Sequence, residues 1–411
     1  MLLTRMLDRL IRTGSLTMID ADGRQHRFGD GTLPKVTIRL HDRKLHTSMA
    51  INPSLATGEA YMDGDLTIEE GTLTQFLDLA TRSFDNLYES PMRRVARLLG
   101  LGVRLFQQYN PIGKSRQNVA HHYDLSGALY DLFLDRDRQY SCAYFAKPDD
   151  SLEAAQHNKK VHIAAKLLLD KPDLKVLDIG CGWGGMALYL AQAAYADVTG
   201  ITLSTEQAKV AAERAAAAGL DQSVRFKLQD YRLEQAQYDR IVSVGMFEHV
   251  GVPQFPTFFR KMRELLKPDG VALLHAIGRM DGPGITDPWI RKYIFPGGYV
   301  PALSEVLPVI EKAGLWVTDI EILRLHYAET LKAWLENFTA NREQVARIYD
   351  ERFCRMWEFY LVGCEMAFRH LKQMVFQIQI TREQSAAPLT RDYIVDWERA
   401  QLAKLRSAAA E

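Results

Sequence analysis

The sequence predicts an α/β protein: a Rossmann-like catalytic domain preceded by a smaller N-terminal α+β domain. Three observations lead there. Leu174 to Gly185 reads Leu-Lys-Val-Leu-Asp-Ile-Gly-Cys-Gly-Trp-Gly-Gly, a short apolar strand that enters a glycine turn, and the pattern turns helical from Met186. Strand, glycine turn and helix form the opening unit of a nucleotide-binding α/β sheet. Short strand-like segments recur at Asp197 to Ser204, Val224 to Leu228, Asp239 to Val244 and Val271 to Leu274, as the later strands of such a sheet would. Ahead of all these, Val36, Ile38 and Leu40 alternate with polar neighbours, the mark of a half-buried strand.

Bulk properties narrow the function. A chain of 411 residues has room for two domains. Lys and Arg total 51, as do Asp and Glu, so a general attraction to nucleic acid is not expected. No apolar run approaches the roughly 18 residues of a spanning helix. Met1 to Leu16 has apolar residues at helical spacing but is interrupted by Arg5, Asp8, Arg9 and Arg12, which predicts an amphipathic helix and not a signal peptide. Cys142, Cys181, Cys354 and Cys364 lack metal-ligand spacing, so free thiols in a reducing cytoplasm and no metal site are expected.

Taken in order, residues from about Ile19 to Ile51 read as short strands with turns at Asp22-Gly23 and Gly29-Asp30-Gly31. Gly58-Glu-Ala-Tyr-Met-Asp-Gly-Asp65 follows, then a helix from about Gly71 to Arg82. Residues 1–90 are therefore expected to form the N-terminal domain, which has no evident catalytic constellation. Residues 91–117 read as a basic linker. Pro91 to Tyr123 carries Arg93, Arg94, Arg97, Arg104, Lys114 and Arg116 along an apolar stripe with no acidic residue among them. Such a stretch can lie on an anionic membrane at about 1 kcal/mol per basic group, or serve as a solvated connector. Asn118 to Ser151 is rich in aromatics and places His121 beside His122; adjacent histidines point in different directions, which disfavours a joint metal site.

Residues 118–381 are expected to form the catalytic domain. Gly180, Gly182 and Gly184 permit a sharp turn and close ligand approach. The second strand ends without the acidic residue that usually binds ribose, so Thr202 and Gln207 must serve as neutral groups. Gln229-Asp-Tyr231 ends the third strand, a natural place to grip adenine. Open α/β sheets bind ligands beyond the carboxyl ends of their strands, which puts Glu248 over the reaction centre and His275 on the same edge. Arg279 to Pro301, rich in Gly, Pro and aromatics, reads as an inserted wall for a large apolar substrate. Helices are expected from about Leu303, from Glu329 and from Ala346 to Leu371, then a loosely held helical tail over 382–411.

The Gly-x-Gly-x-Gly spacing, with Asp178 just before it, resembles the S-adenosylmethionine loop of class I methyltransferases. Across about residues 55 to 375 the chain resembles the cyclopropane-fatty-acyl-phospholipid synthases. The matching pieces are Gly58-Glu-Ala-Tyr-Met-Asp-Gly, His122-Tyr-Asp-Leu, Tyr140-Ser-Cys-Ala-Tyr, Asp178-Ile-Gly-Cys-Gly-Trp-Gly-Gly, Met246-Phe-Glu-His-Val-Gly, Leu274-His-Ala-Ile-Gly and Asp287-Pro-Trp-Ile-Arg-Lys-Tyr-Ile-Phe-Pro. The resemblance implies a class I methyltransferase fold with a lipid-facing front domain. It also implies transfer of a methylene from S-adenosylmethionine to the cis double bond of an acyl chain in a membrane phospholipid. Tyr140, Ser141, Asp178, Gly180, Gly182, Thr202, Gln207, Asp230 and Tyr231 would hold the cofactor.

Ring closure needs a base for a proton of the transferred methyl. On residue chemistry alone Glu248, His275 and Tyr327 can each serve. The resemblance implies instead that these three, with Cys142 and the backbone at Ile277, hold a bicarbonate ion that takes the proton, Glu248 being its anchor. Cys142 as a covalent nucleophile is the alternative, but nothing nearby in sequence lowers its pKa. The resemblance further implies peripheral association with the inner face of the membrane from the cytoplasm, and a homodimer. Rival readings are a fatty-acyl C-methyltransferase giving a methyl-branched or methylene product, a small-molecule methyltransferase working in solution, and a non-catalytic lipid-binding protein.

Overall fold

The computed structural model describes residues 2–82 and 127–408. The basic linker 91–117 and the His121-His122 pair lie outside the described residues. The chain groups into two units that do not follow its order. One contains residues 2–82 with Gly284–Pro296 and Ala328–Gln373; the other contains 127–283, Gly297–Tyr327 and 374–408.

In the first unit a four-stranded sheet has the order β2-β1-β3-β4, from Gln25–Gly29, Ser15–Ile19, Lys35–Leu40 and Leu66–Glu70. β1 and β3 show the expected alternation, burying Leu16, Met18, Val36, Ile38 and Leu40 on one face. The N-terminal helix is shorter than expected, Leu2–Leu10, with Leu3, Leu7 and Leu10 buried. Leu45–Ile51 is helical where strands were expected.

The rest of this unit explains two of the sequence motifs. In the helix Pro53–Asp63, a Cβ on Gly58 would stand 2.4 Å from the indole of Trp289, so only glycine lets that ring lie against the helix. Trp289 donates to the Met62 sulfur at 3.3 Å, and Tyr293 donates to Glu59 at 2.8 Å. Asp287-Pro-Trp, expected as a substrate wall, thus puts a 1 % exposed tryptophan into the unit's core. The long helix Glu351–His370 buries Trp357, Phe359 and Tyr360 beside these residues. It starts later than Ala346 because Asp350 caps it, accepting the Phe353 N–H at 2.7 Å, while Arg342–Ile348 is a separate helix. These contacts place Gly284–Pro296 and the helical stretch Ala328–Gln373 with the N-terminal elements, and not with the rest of 118–381.

The second unit is built on a seven-stranded sheet of order β10-β11-β9-β8-β5-β6-β7. β5 (Lys175–Ile179), β6 (Asp197–Thr202), β7 (Val224–Leu228), β8 (Tyr238–Val244) and β9 (Leu266–Arg279) are parallel, while β10 (Trp316–Ile322) and β11 (Gln373–Thr381) pair antiparallel. The central parallel strands are near-continuous apolar runs because both faces are covered. The helix Gly185–Ala194 covers one face with Met186, Ala187, Leu190 and Ala191, and Phe255–Leu265 contributes a stripe of Phe255, Phe258, Phe259, Met262 and Leu265 to the core.

The C-terminal tail departs from expectation. Asp392–Ala408 is a helix, and it is fastened: Glu398 bonds His162 Nδ1 at 2.6 Å, and Gln379 donates to the Tyr393 hydroxyl at 2.8 Å.

Candidate active site

Strand order reverses at β5, which has β6 on one side and β8 on the other, so a crevice opens beyond the carboxyl ends of these strands. A cleft of about 1160 Å³, open mouth included, occupies that place. All nine positions expected to touch the cofactor line it: Tyr140, Ser141, Asp178, Gly180, Gly182, Thr202, Gln207, Asp230 and Tyr231.

The turn after β5 shows why glycine is needed. Gly180 has φ +83°, and a Cβ there would come within 2.7 Å of Met246. At Gly182, with φ +53°, a Cβ would meet nothing within 4 Å and would stand in open space. At the end of β6 the Thr202 hydroxyl donates to the Gln207 side-chain oxygen at 2.9 Å. Ser204 caps the following helix Thr205–Ala217 and fixes Gln207 by accepting its N–H at 3.3 Å. Asp230 is already engaged, since Arg232 donates to its two oxygens from Nε at 2.8 Å and Nη2 at 2.7 Å. Asp178 is not: its Oδ2 is buried with no partner among the described residues, and burial pushes the carboxyl up to about 7.

These residues fit S-adenosylmethionine. An open buried carboxylate suits a ligand carrying an ammonium and a sulfonium, the space beside Gly182 admits a ligand to the backbone, and Thr202 with Gln207 offers a neutral pair to hydroxyls. Tyr140, Trp183 and Tyr231 add aromatic faces.

The five catalytic candidates sit behind this lining and not in it. Glu248 lies in the one-turn segment Phe247–His249 after β8. Its Oε1 accepts the Ile277 N–H at 2.6 Å, while Oε2 is buried without a partner among the described residues. Burial pushes the carboxyl up to about 7 against the opposing pull of the Ile277 N–H. His275 lies on β9 opposite Val244, its carbonyl accepting the Gly245 N–H at 3.0 Å. Burial holds its imidazole well below the ordinary range, with the Lys159 charge acting in the same direction.

Glu248, His275 and Ile277 are therefore gathered at one sheet edge. Cys142 is buried next to Ser141. Tyr327 follows His326, whose Nδ1 accepts the Phe145 N–H at 3.0 Å and ties that helix start to the Cys142–Phe145 segment. One detail differs from expectation: the Ile277 N–H is used by Glu248. The free acceptor is Glu248 Oε2, which fits a small group that can donate a proton, as the hydroxyl of bicarbonate can.

Sequence reasoning missed Lys159. It is 0 % exposed, on the helix Leu152–Lys166, and its Nζ donates to Ser141 Oγ at 2.8 Å and Gln139 Oε1 at 2.7 Å. Burial holds its ammonium down to about 8, with Asp135 opposing the shift. Gln377, at 3.1 Å from His275, was missed as well. The available signal was spacing: Leu152, Ala155, Lys159, His162 and Lys166 form one helical stripe, all buried.

Comparison with known proteins identifies the family and the fold. The model of the mycolic acid cyclopropane synthetase family matches residues 112–378, and a domain of unknown function matches residues 7–91. The cyclopropane-fatty-acyl-phospholipid synthase of Escherichia coli K12 is 42 % identical over 356 residues, covering 86 % of this chain and 89 % of its own. A probable fatty acid methyltransferase of Pseudomonas putida is 37 % identical over 84 % of this chain and 86 % of its own. Among solved structures, the mycolic acid cyclopropane synthase CmaA1 complexed with SAH and CTAB superposes with a TM-score of 0.62 at 34 % identity, covering 66 % of this chain and 99 % of that one.

Proposed function

The chain belongs to the mycolic acid cyclopropane synthetase family, and from that premise we propose that it converts the cis double bond of an unsaturated acyl chain, carried by a membrane phospholipid, into a cyclopropane ring. It is an S-adenosylmethionine-dependent methyltransferase of the class I fold, acting as a cyclopropane fatty acyl synthase or fatty acid methyltransferase. The phospholipid, the ring and the base are the proposed part. S-adenosylmethionine supplies an electrophilic methyl on its sulfonium.

An alkene is a poor nucleophile, so the protein must hold the reacting carbons in line and close together. Attack leaves positive charge on the acyl chain, and water would capture it as an alcohol. Trp183, 3 % exposed, and Tyr140 give that charge aromatic faces and exclude water. The transferred carbon then loses one proton and the ring closes, so the lipid gains CH2 and one proton is released.

The observation that carries this reading is the Glu248 carboxylate, clamped on one oxygen and open on the other inside a buried edge. A fixed open acceptor suits an anchor for a protonated anion. Bicarbonate would accept the methyl proton from that place, with Glu248 orienting it and His275, Cys142 and Tyr327 around it.

No described helix is long and apolar enough to cross a membrane. We place the enzyme at the cytoplasmic inner face of the membrane, held peripherally, with the front domain toward lipid and a second copy as partner; flotation with anionic vesicles tests the lipid contact. The Pseudomonas putida relative favours a second reading, a fatty-acyl C-methyltransferase. Incubation with unsaturated phospholipid vesicles and S-adenosylmethionine, with and without bicarbonate, separates them. Cyclopropane and methylene products both gain CH2, but ozonolysis cleaves only the methylene. A methylene product, or ring formation indifferent to bicarbonate, overturns the corresponding part of the proposal.

A further inference from the structure

A neutral imidazole carries its proton on one nitrogen only, and the partner of the other nitrogen decides which. His275 Nδ1 lies 3.1 Å from the side-chain nitrogen of Gln377. That amide has its own orientation fixed from behind. Lys166 Nζ lies 2.7 Å from the Gln377 side-chain oxygen. An ammonium offers only donors, so the atom facing it must be the carbonyl oxygen, and the NH2 is left facing His275.

Both polar partners are fully buried, at 0 % exposure for Lys166 and Gln377, so neither can exchange its bond for water. Burial lowers the Lys166 pKa, and Glu321, whose carboxylate it also contacts, opposes that shift and favours the ammonium. Glu321 is in turn bonded to His162 Nε2 at 2.7 Å, and His162 Nδ1 to Glu398 at 2.6 Å. The orientation of one catalytic-edge histidine is thus tied to charges on β10 and on the C-terminal helix.

We propose that Lys166 and Gln377 are positioning residues that hold His275 in the tautomer with Nδ1 accepting and Nε2 protonated, so that it presents a donor to the reaction centre. The inference rests on the reading that His275 belongs to that centre. Donation is what an anion beside Glu248 requires, since a proton on Nδ1 would leave Nε2 with a lone pair. Lys166 and Gln377 act only through His275; neither touches substrate.

The test uses full-length protein with 15N-labelled histidine and long-range 1H–15N spectra, His275→Gln identifying the signal. The wild type is expected to show a bare Nδ1 and a protonated Nε2. Gln377→Glu puts an acceptor opposite Nδ1 and draws the proton there; Lys166→Met releases the amide to flip, giving mixed tautomers. In both variants kcat should fall roughly ten- to a hundred-fold, the range typical of outer-shell partners of a site histidine, while KM for S-adenosylmethionine stays put. Should Gln377→Glu fail to fold, the wild-type spectrum and Lys166→Met still decide. A proton on Nδ1 in the wild type overturns the proposal, as does a shifted tautomer with undiminished kcat. Undiminished ring formation by His275→Gln overturns the placement of His275 instead, and leaves the spectrum to stand by itself.

Discussion

Glu248 and Ile277 are joined by a hydrogen bond of 2.6 Å from the Ile277 N–H to Oε1, while Oε2 of the same buried carboxylate bonds nothing among the described residues. A buried acceptor left open costs about 1–3 kcal/mol. The Ile277 clamp stops the side chain from turning to relieve that cost, so the site keeps an unfilled acceptor where a ligand can use it.

Replacing Glu248 by Gln keeps the shape but lets the amide oxygen take the Ile277 N–H, which leaves an NH2 donor where the acceptor stood. Ring formation should fall by about 10²–10⁴, the range for loss of acid–base catalysis, because the base that Glu248 anchors loses its hold. Stability should move oppositely. Burial raises the Glu248 carboxyl from 4.5 to about 7, so the folded state holds this proton more tightly than the unfolded chain. Its contribution therefore falls as pH rises from about 4.5 through 7, on the order of 3 kcal/mol in full. The Gln variant lacks that loss, and its melting temperature relative to wild type should climb between pH 5 and pH 8. A constant difference across that span argues against an ionising buried Glu248.

Gly180 and Gly182 separate packing from ligand access. Gly180→Ala brings a Cβ within 2.7 Å of Met246 at φ +83° and should lower stability by about 1–3 kcal/mol. Gly182→Ala has open space around it, so only the left-handed backbone costs, about 1–2 kcal/mol. Its methyl nevertheless enters the cleft. Calorimetric titration should show S-adenosylmethionine affinity reduced at least about tenfold in a folded Gly182→Ala protein, and unchanged affinity would move the cofactor away from this turn.

How far the sequence reveals this molecule depends on where each contact partner lies. β5 runs Lys175–Ile179, as the apolar run of Val176, Leu177 and Ile179 predicts, because the central strands of a covered parallel sheet declare themselves locally. Lys159 and Lys166 do not. A helical lysine reads as solvent-facing, and their burial depends on Ser141 and Gln377, which lie on other elements. The tail helix looked loose for the same reason: His162, which holds Glu398, is 236 residues away in sequence. Trp289 read as a substrate wall because an aromatic gives no sign of which surface it will meet; the missing Cβ of Gly58 settles that. At the reaction edge, strand position places Glu248 and His275 and residue chemistry admits Tyr327 as a base, but Cys142, Ile277 and the bicarbonate-holding role of the set follow only from family resemblance.

Lys159 should govern cofactor affinity through Ser141 and Gln139. Lys159→Met keeps the volume but removes two charge-assisted bonds, each worth about 1.5–3 kcal/mol in burial. Binding of S-adenosylmethionine should weaken about tenfold or more. Because burial holds this ammonium down to about 8, wild-type affinity should also weaken as pH rises through 8, and the Met variant should lose that dependence. A retained pH dependence would assign it to another group.

Gly58→Ala tests why the first unit's two motif segments go together. The added methyl would sit 2.4 Å from Trp289 Cδ1 and Nε1 and 2.9 Å from Phe359, and neither ring can retreat within a packed core. Overpacking of this kind costs about 1–3 kcal/mol. Trp289→Phe alone removes buried ring area and the bond to Met62, so it too should destabilise. Combined, the smaller ring leaves room for the methyl, and the double variant should lose less than the sum of the two single losses. Denaturant unfolding of the four proteins gives the coupling directly; strictly additive losses would mean that helix Pro53–Asp63 and Trp289 are not in contact.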